Sequence, residues 1–234
     1  NVPKSRSANE NFIKARVSHE QLVSDILMEI KYLLNSRKAA QAQWEKETKA
    51  RISTFKNPVT NHPLKLPPFP KQNGYEFLRQ KDDSVFVEKL SSDTAIFLID
   101  ATANTDEKPI TGFRIEVLAD TKLPSRGPGL ASHGNFVLNE FRAFVVDLVD
   151  ADNRRPLKFS SAKADFSQKN WDVMGAIDGN VKTGWAISTQ MGKNHYATFR
   201  LEKPIPNKKP TRLRLELAQL YGSRHIIGRF RIMA

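Results

Sequence analysis

The sequence of 234 residues contains no cysteine. That absence excludes disulfides, thiolate nucleophiles, thiolate zinc sites and the C-x-x-C-H motif that attaches c-type haem. No apolar run approaches the roughly 20 residues that a membrane-spanning helix needs. The motifs G-x-S-x-G, H-E-x-x-H and G-x-x-x-x-G-K-[ST], which mark common hydrolases and nucleotide-binding loops, are missing too. We therefore expect neither an enzyme nor haem in this chain, and no transmembrane segment.

Positive charge is abundant but is not concentrated in one region. The formal net charge is +12, of which residues 1–72 carry +7 and the remainder +5. Nucleic-acid-binding proteins cluster Lys and Arg to neutralise phosphates, whereas here basic residues are interspersed with acidic ones. The pattern disfavours nucleic acid as a partner and leaves an acidic partner or an anionic surface open. The spacing of the five histidines is unlike that of a metal-ligand set, and we expect them in loops or on the surface.

The first part of the chain has a helical period. Apolar residues recur at steps of three and four from Phe12 to Leu34, which predicts a helix with one apolar face. Asn35-Ser36 is a candidate stop, and a more polar helix is predicted from Arg37 to Ile52. Residues 1–55 are therefore predicted to form a helical hairpin that packs on the rest of the chain or on a partner.

Residues 56–73, "KNPVTNHPLKLPPFPKQN", contain five prolines and no periodicity. Such a composition is typical of an extended linker with polyproline II character. We interpret it as a domain boundary, with recognition by a proline-binding module as the alternative.

After Gly74 the apolar period changes to two. Eight runs alternate Val, Ile, Phe or Leu with polar residues, and Gly, Pro, Asn and Asp separate them. "TGFRIEVL" and "TRLRLELAQL" are the clearest examples. Strands with one wet face, and no helical pattern between them, predict an antiparallel β-sandwich of jelly-roll type over residues 74–234.

Two loops of this region contain groups suited to binding. The stretch "LPSRGPGLASHGNF", residues 123–136, lies between two predicted strands and carries Arg126, His133 and Asn135. Loops on a rigid sandwich are common binding surfaces, although many only cross an edge. The carboxylates Asp165, Asp172 and Asp178 lie close in sequence, but a general acid and base require a cleft geometry that a sequence does not specify.

The second loop is the turn "AIDGNVKTGW", residues 176–185. Gly179 is suited to a positive φ, Asp178 to capping nearby amides, and Thr183 to closing the turn. Trp185 is predicted to place its ring in the core while its N–H finds a carbonyl. The same turn suits a structural Ca²⁺ held by Asp178, Asn180, Thr183 and backbone carbonyls. A turn without an ion and a turn with an ion both remain open.

The residues around this turn carry a family resemblance. "SAKADFSQKNWDVMGAIDGNVKTGWAI", residues 161–187, resembles the opening motif of discoidin-like, galactose-binding-like domains. From about Asp82 to the end, "GPG", "GNFVLNEF", "AIDG" and "TGWA" together resemble a region of large secreted planctomycete proteins that also carry c-type cytochrome domains. The resemblance covers about two thirds of the chain, and the N-terminal helices match it poorly.

This resemblance implies an exported, noncatalytic jelly-roll segment, periplasmic or at the cell surface, that binds carbohydrate or a protein partner. The implied sugar site comprises Arg126, His133 and Asn135, with Trp171 and Tyr221 either stacking on a sugar or packing in the core. In discoidin domains an "EF-x-V" strand ends the domain, whereas here residues 139–146 precede the turn. We therefore expect a circular permutation, with the strand of Phe141 beside that of Ala162–Phe166.

Two other functions remain open. One is a structural subunit of a respiratory or cell-surface assembly associated with c-type cytochromes, in which an apolar stripe along Leu22, Ile26, Ile30 and Leu33 is buried by partner chains. The other is a fragment of a hydrolase or oxidoreductase completed by another domain, in which Asp178 or His195 is essential. Because the sequence begins at Asn1 without a signal region, we interpret the chain as a processed product or as part of a longer protein.

Overall fold

The computed structural model describes residues 4–53, 61–69, 74–103, 108–147, 153–206 and 211–234. The chain separates into a helical unit, Asn1–Thr60, and a β unit, Asn61–Ala234. The β unit is mainly β, and every pair of neighbouring strands in it is antiparallel among the residues described. The general architecture of one helical region followed by antiparallel sheets agrees with the alternation of the sequence.

The described part of the helical unit is one helix, α1, from Lys4 to Ser53. The prediction of a hairpin that breaks at Asn35-Ser36 is therefore wrong. No glycine or proline occurs between residues 4 and 53, and Asn and Ser cost a helix only about 0.5 kcal/mol each relative to alanine. Side-chain pairs one turn apart add support, as when Arg16 Nε donates to Glu20 Oε1 at 2.9 Å.

The β unit contains twelve strands among its described residues. They are β1 (Tyr75–Arg79), β2 (Val85–Leu90), β3 (Ala95–Ala103), β4 (Ile110–Val117), β5 (Val137–Leu138), β6 (Glu140–Val146), β7 (Arg154–Leu157), β8 (Phe159–Ala164), β9 (Trp185–Ala186), β10 (His195–Ile205), β11 (Thr211–Gln219) and β12 (Arg229–Met233). Short 3-10 turns occupy Pro124–Arg126 and Val173–Ala176.

These strands form two main sheets that share a core. One has the spatial order β1-β2-β12-β4-β10-β8, the second β3-β11-β6-β7, and β5 pairs separately with β9. Phe141 of the second sheet packs against Phe159 and Phe199 of the first, with ring centroids 5.2 and 4.8 Å apart. Side chains from both sheets thus meet in one interior, as in a β-sandwich.

The alternating runs place their apolar residues in this interior. In β11, Leu213, Leu215 and Leu217 are buried, while Arg212, Arg214 and Glu216 lie on the other face. In β4 the same alternation buries Phe113, Ile115 and Val117. The period-two pattern therefore predicted these strands and their inward faces correctly.

Part of the predicted linker belongs to the β unit. The amide and carbonyl of His62 exchange hydrogen bonds of 2.9 Å with Ala234, and Pro63 bridges Met233. Leu64 and Leu66 are buried in the core, and Lys65 forms a bridge with Thr102 of β3. The chain is extended here, as expected, but these residues are held by strand pairing and burial. Residues 56–60 and 70–73 of the linker lie outside the described residues.

The prediction of a circular permutation is wrong, because it requires the strand of Phe141 to lie beside the strand of Ala162–Phe166. Phe141 lies in β6 of the four-stranded sheet, whereas Ala162 lies in β8 of the six-stranded sheet. Strand β7 pairs with β6, matching Phe144 with Pro156, and occupies the edge that β8 was expected to take. The chain then crosses to the other sheet, so Phe141 and Phe159 face each other across the core.

Candidate functional site

The loops predicted to bind are held by the short pair β5 and β9. Val137 pairs with Ala186, and Leu138 pairs with Trp185. The Trp185 ring is fully buried, packs edge-on against Phe136 at 5.0 Å, and donates its indole N–H to the carbonyl of Phe166 at 2.9 Å. The prediction of a buried Trp185 that donates to a carbonyl is confirmed.

The Asp178 turn, residues 178–183, has the local structure that its sequence predicts. Asp178 Oδ1 accepts the amide of Asn180 at 2.8 Å, and Asn180 Oδ1 accepts the amide of Lys182 at 3.1 Å. Gly179 has a φ of +80°, which an L side chain rarely adopts. The amide of Thr183 returns to the carbonyl of Asn180 at 3.0 Å and closes the turn.

Oxygen atoms crowd the Thr183 hydroxyl. Its Oγ1 lies 2.9 and 2.8 Å from the two carboxylate oxygens of Asp178, 2.7 Å from the carbonyl of Asn180 and 3.2 Å from that of Gly175. A hydroxyl has a single hydrogen to donate, so most of these oxygen–oxygen contacts share no proton. A hard cation would neutralise such a cluster, because carboxylate, hydroxyl and carbonyl oxygens are the ligands that Ca²⁺ takes.

Glu140, the first residue of β6, adds a second carboxylate next to this turn. It is only 3% exposed, and its Oε1 has no hydrogen-bond partner among the described residues. Burial raises the pKa of the Glu140 carboxyl, and the charge of Asp178 raises it further, while Arg142 and the amides of Gly179 and Asn180 act in the opposite direction. A buried carboxylate oxygen without a donor is the kind of group that a bound cation satisfies.

The oxygen cluster of Asp178, Asn180, Thr183 and Glu140 therefore fits a hard cation in its donor chemistry. No three His, Cys, Asp or Glu side chains converge on a common position in the part of the chain that the structure describes. A cation at this turn would take two carboxylates together with neutral oxygens, a set suited to Ca²⁺ rather than to a metal that prefers nitrogen ligands. In that position it would offset the repulsion between Glu140 and Asp178.

Asn139 connects this turn to a second loop. Its Nδ2 donates to the carbonyls of Val181 at 2.9 Å and Thr183 at 3.1 Å, and its Oδ1 accepts the amide of Leu220 at 2.6 Å. The side chain is buried, so the hydrogen bonds are shielded from water. Leu220 directly precedes Tyr221, one of the residues predicted to bind a sugar.

Tyr221 lies in a row of rings that we call the aromatic row: Trp171, Tyr221, His225 and His133. Trp171 meets Tyr221 edge-on at 5.2 Å, Tyr221 meets His225 at 4.7 Å, and His225 meets His133 at 5.2 Å. Tyr221 is 52% exposed and Trp171 is half-buried. The structure thus brings together three of the predicted ligand-binding residues, Trp171, Tyr221 and His133, and adds His225.

The remaining predicted ligand-binding residues occupy different environments. Asn135 is buried, where its Nδ2 donates to Gln168 Oε1 at 3.2 Å and its Oδ1 accepts the amide of Ile187 at 3.1 Å. Both ends of the Asn135 amide are used to join loops, which is a structural role. Arg126 is exposed in the same loop as His133.

His195, the first residue of β10, is buried and contacts Asp165, whose side chain is 26% exposed. Its Nδ1 is 2.9 Å from Asp165 Oδ2, and its Nε2 is 3.0 Å from the carbonyl of Gln190. Both ring nitrogens are engaged, and Asp165 Oδ1 also accepts the amide of Tyr196 at 2.9 Å. The pair joins the loop before β10 to the residue that follows β8, and neither nitrogen of His195 is left free for a reacting group.

Sequence reasoning missed Asn139, Glu140 and His225. The alternation of "FVLNEFRAF" suggests that Glu140 points outward together with Arg142, because the two are separated by one residue. The signal that was available is the adjacent polar pair Asn139-Glu140 inside an otherwise apolar run. Such a pair must find partners if it is buried.

No family model, curated protein or solved structure matches this chain. No helix within the described ranges is both long enough and apolar enough to cross a membrane.

Proposed function

We propose that residues 61–234 form a noncatalytic binding module of jelly-roll, discoidin-like type that takes carbohydrate at the aromatic row. The observation that carries this proposal is the position of Tyr221, half exposed and flanked edge-on by Trp171 and His225. A sugar presents apolar C–H faces that pack on exposed aromatic rings, while its hydroxyls need nearby polar groups. Arg126 and His133 are exposed and supply such groups on the adjoining loop.

The aromatic row is suited to binding because its rings are already supported. Contacts with Trp171 and His225 on either side restrict the Tyr221 ring, and His225 Nδ1 lies 2.9 Å from the carbonyl of Gly222 in the same loop. A ring that is restricted before binding loses little entropy when the ligand arrives. Such loops on a sheet scaffold are a common place for recognition.

In this proposal the module also holds a structural Ca²⁺ at the Asp178 turn. In the proposal Asp178, Asn180 and Thr183 serve as its ligands, and Glu140 joins them. Support comes from the crowding of oxygens around Thr183 Oγ1 and from the unpartnered Oε1 of Glu140. The ion offsets the repulsion between two carboxylates and stabilises the turn. The module is an accessory part of a larger exported protein.

The carbohydrate proposal is tested with the full chain and a panel of galactan, xylan, mannan, cellulose and free galactose. We expect a saturable interaction with at least one of them, and Tyr221→Ala should weaken it by about tenfold because the stacking surface is lost. Tyr196→Ala is the matched control, since Tyr196 is a partly exposed tyrosine on β10 that lies under the Arg114 guanidinium at 3.6 Å.

Retention curves in affinity electrophoresis or titration calorimetry give the measurement. If no sugar of the panel binds at millimolar concentration, or if both tyrosine variants lose affinity equally, the aromatic row is not a sugar site.

A second candidate function is that of a structural subunit of a respiratory or cell-surface assembly. The observation in its favour is the apolar stripe of α1, where Leu22, Ile26, Ile30 and Leu33 are each between 47% and 58% exposed. Large apolar side chains in such a row are covered in most proteins by a partner. In this function other protein chains, rather than glycans, are the partners of the chain.

A further inference from the structure

The Asp178 turn and the loop that carries Tyr221 depend on one side chain. Asn139 donates two hydrogen bonds to the carbonyls of Val181 and Thr183, and it accepts one from the amide of Leu220. Its own backbone amide donates to the carbonyl of Ala218 at 2.9 Å. Residues on both loops are therefore bound to a single residue, which directly precedes β6.

The burial of this amide makes its hydrogen bonds costly to separate. Asn139 is 1% exposed, so water does not replace a broken partner, and each unsatisfied group costs about 1 to 3 kcal/mol. Because the Asn139 side chain binds both loops, the Val181 and Thr183 carbonyls cannot move away from the Leu220 N–H without breaking a hydrogen bond. The two loops are expected to shift or become ordered together.

The same turn is the place where Glu140 and Asp178 repel each other. Glu140 follows Asn139 directly, so the cation position proposed above and the connection to Leu220 lie on two consecutive residues, the last one before β6 and the first one of β6. A cation that removes this repulsion fixes the Thr183 segment, including the Thr183 carbonyl that Asn139 binds.

We infer that Asn139 is a positioning residue through which a divalent cation at the Asp178 turn fixes the loop carrying Tyr221, and with it the aromatic row. The inference rests on the cation of the proposed function. Linkage requires the effect to be reciprocal, so a ligand on the aromatic row raises the affinity of the turn for the cation by the same factor.

The test adds CaCl₂ to the full chain and follows individual sites by NMR. The chain has three tryptophans, whose indole N–H signals are assigned with single Trp→Phe variants. We expect Ca²⁺ to shift the signal of Trp171, which touches Tyr221, and to leave that of Trp44 in α1 unchanged. Exchange of the Leu220 amide with solvent should slow by about fivefold or more at saturating Ca²⁺.

The variant Asn139→Leu removes all three side-chain hydrogen bonds at a similar size. We expect it to bind Ca²⁺ in calorimetry but to lose the shift at Trp171, a response that a merely structural residue would leave intact. If the response of Trp171 persists in this variant, Asn139 does not carry the coupling. If the variant does not fold, the test is the hydrogen exchange of the Leu220 backbone amide in the unaltered chain. An exchange rate that is the same with and without saturating Ca²⁺ overturns the inference.

The outcomes separate this inference from the proposed function. Ca²⁺ that binds without any effect on Leu220 or Trp171 overturns the coupling and leaves the proposed ion in place. Absence of Ca²⁺ binding overturns both the coupling and the ion but not the sugar site. A cation-dependent shift at Trp171 in a chain that binds no sugar supports the coupling and contradicts the carbohydrate.

Discussion

Glu140 is the residue through which the stability of the β unit depends on binding of the proposed cation. In the folded chain its carboxylate is buried beside Asp178, so its pKa is raised by burial first and by that neighbour second. A raised pKa in the folded state means that the fold favours the protonated acid. The stability contributed by this group is complete below the pKa of the unfolded chain and is lost as the pH rises through the raised pKa.

Replacement of Glu140 by glutamine tests this linkage. In EDTA at pH 7 we expect Glu140→Gln to raise the free energy of unfolding by about 1 kcal/mol, since a neutral amide replaces a buried charge. The advantage should shrink toward pH 4, where the wild-type carboxyl becomes protonated. In Ca²⁺ the order should reverse, because the ion favours the charged carboxylate. Urea unfolding at several pH values, with and without Ca²⁺, measures all three effects.

Glu88→Gln is the matched control for this experiment. Glu88 lies exposed on β2, and its substitution should change neither the pH dependence nor the response to Ca²⁺. A Glu140 variant that behaves like the Glu88 variant, or that is less stable in EDTA, contradicts the proposed role of the buried carboxylate.

At the scale of elements, the local sequence pattern predicts individual strands and turns, but it does not predict the contacts between residues that are distant in sequence. The alternation in "TRLRLELAQL" predicted β11 and its buried leucines, and the Asp178 turn followed from its own residues. Strand β7 was missed because "RRPL" has no alternation and contains Pro156, which is tolerated at a sheet edge. Because β7 occupies the position beside β6 that β8 was expected to take, the prediction of a circular permutation is wrong.

The candidate site shows the same division between local and distant information. The turn closes over residues 178–183, whereas Asn139 reaches Val181 across 42 residues and Leu220 across 81. No periodicity reports contacts at such separations, which arise only when the two sheets have packed. The continuity of α1 through Asn35-Ser36 is a different case, because these two residues lower the stability of a helix only slightly and do not by themselves end it.

The segment 61–69 gives a prediction at this scale. Leu64→Ala and Leu66→Ala should each lower the free energy of unfolding of the β unit by about 2 kcal/mol or more, because each truncates a buried side chain. Lys65→Ala is the control between them, since its side chain is exposed. Thermal and urea unfolding provide the measurement. Equal stability of all three variants would mean that this segment is only a linker.

At the scale of the whole molecule, the two units present different surfaces. The described part of the β unit buries most of its large apolar side chains in one core and leaves single ones, such as Leu78 and Ile96, partly exposed, whereas α1 exposes a continuous row of them. A single helix cannot bury its own apolar stripe, and helical stability in proteins comes mainly from packing of such a face. The helical unit is therefore where association is expected, and the β unit is where we place ligand binding.

We expect the full chain to associate through α1 at micromolar concentration, and Ile26→Lys with Ile30→Lys to reduce its mass to that of a monomer. The charged side chains oppose burial of the stripe. Size exclusion with light scattering gives the mass, and Gln41→Lys with Gln43→Lys adds the same charge elsewhere on the helix as a control. A wild-type chain that is monomeric at all concentrations contradicts this expectation and favours the binding module over the structural subunit.

The three tryptophans lie in three separate environments. Trp44 is exposed on α1, Trp171 is half-buried beside Tyr221, and Trp185 is fully enclosed next to the Asp178 turn. Because indole fluorescence shifts to shorter wavelength as water is excluded, variants that retain one tryptophan each would report optically on a different region. The emission wavelength of Trp44 would report on association through α1, that of Trp171 on ligand binding at the loops, and that of Trp185 on unfolding of the core.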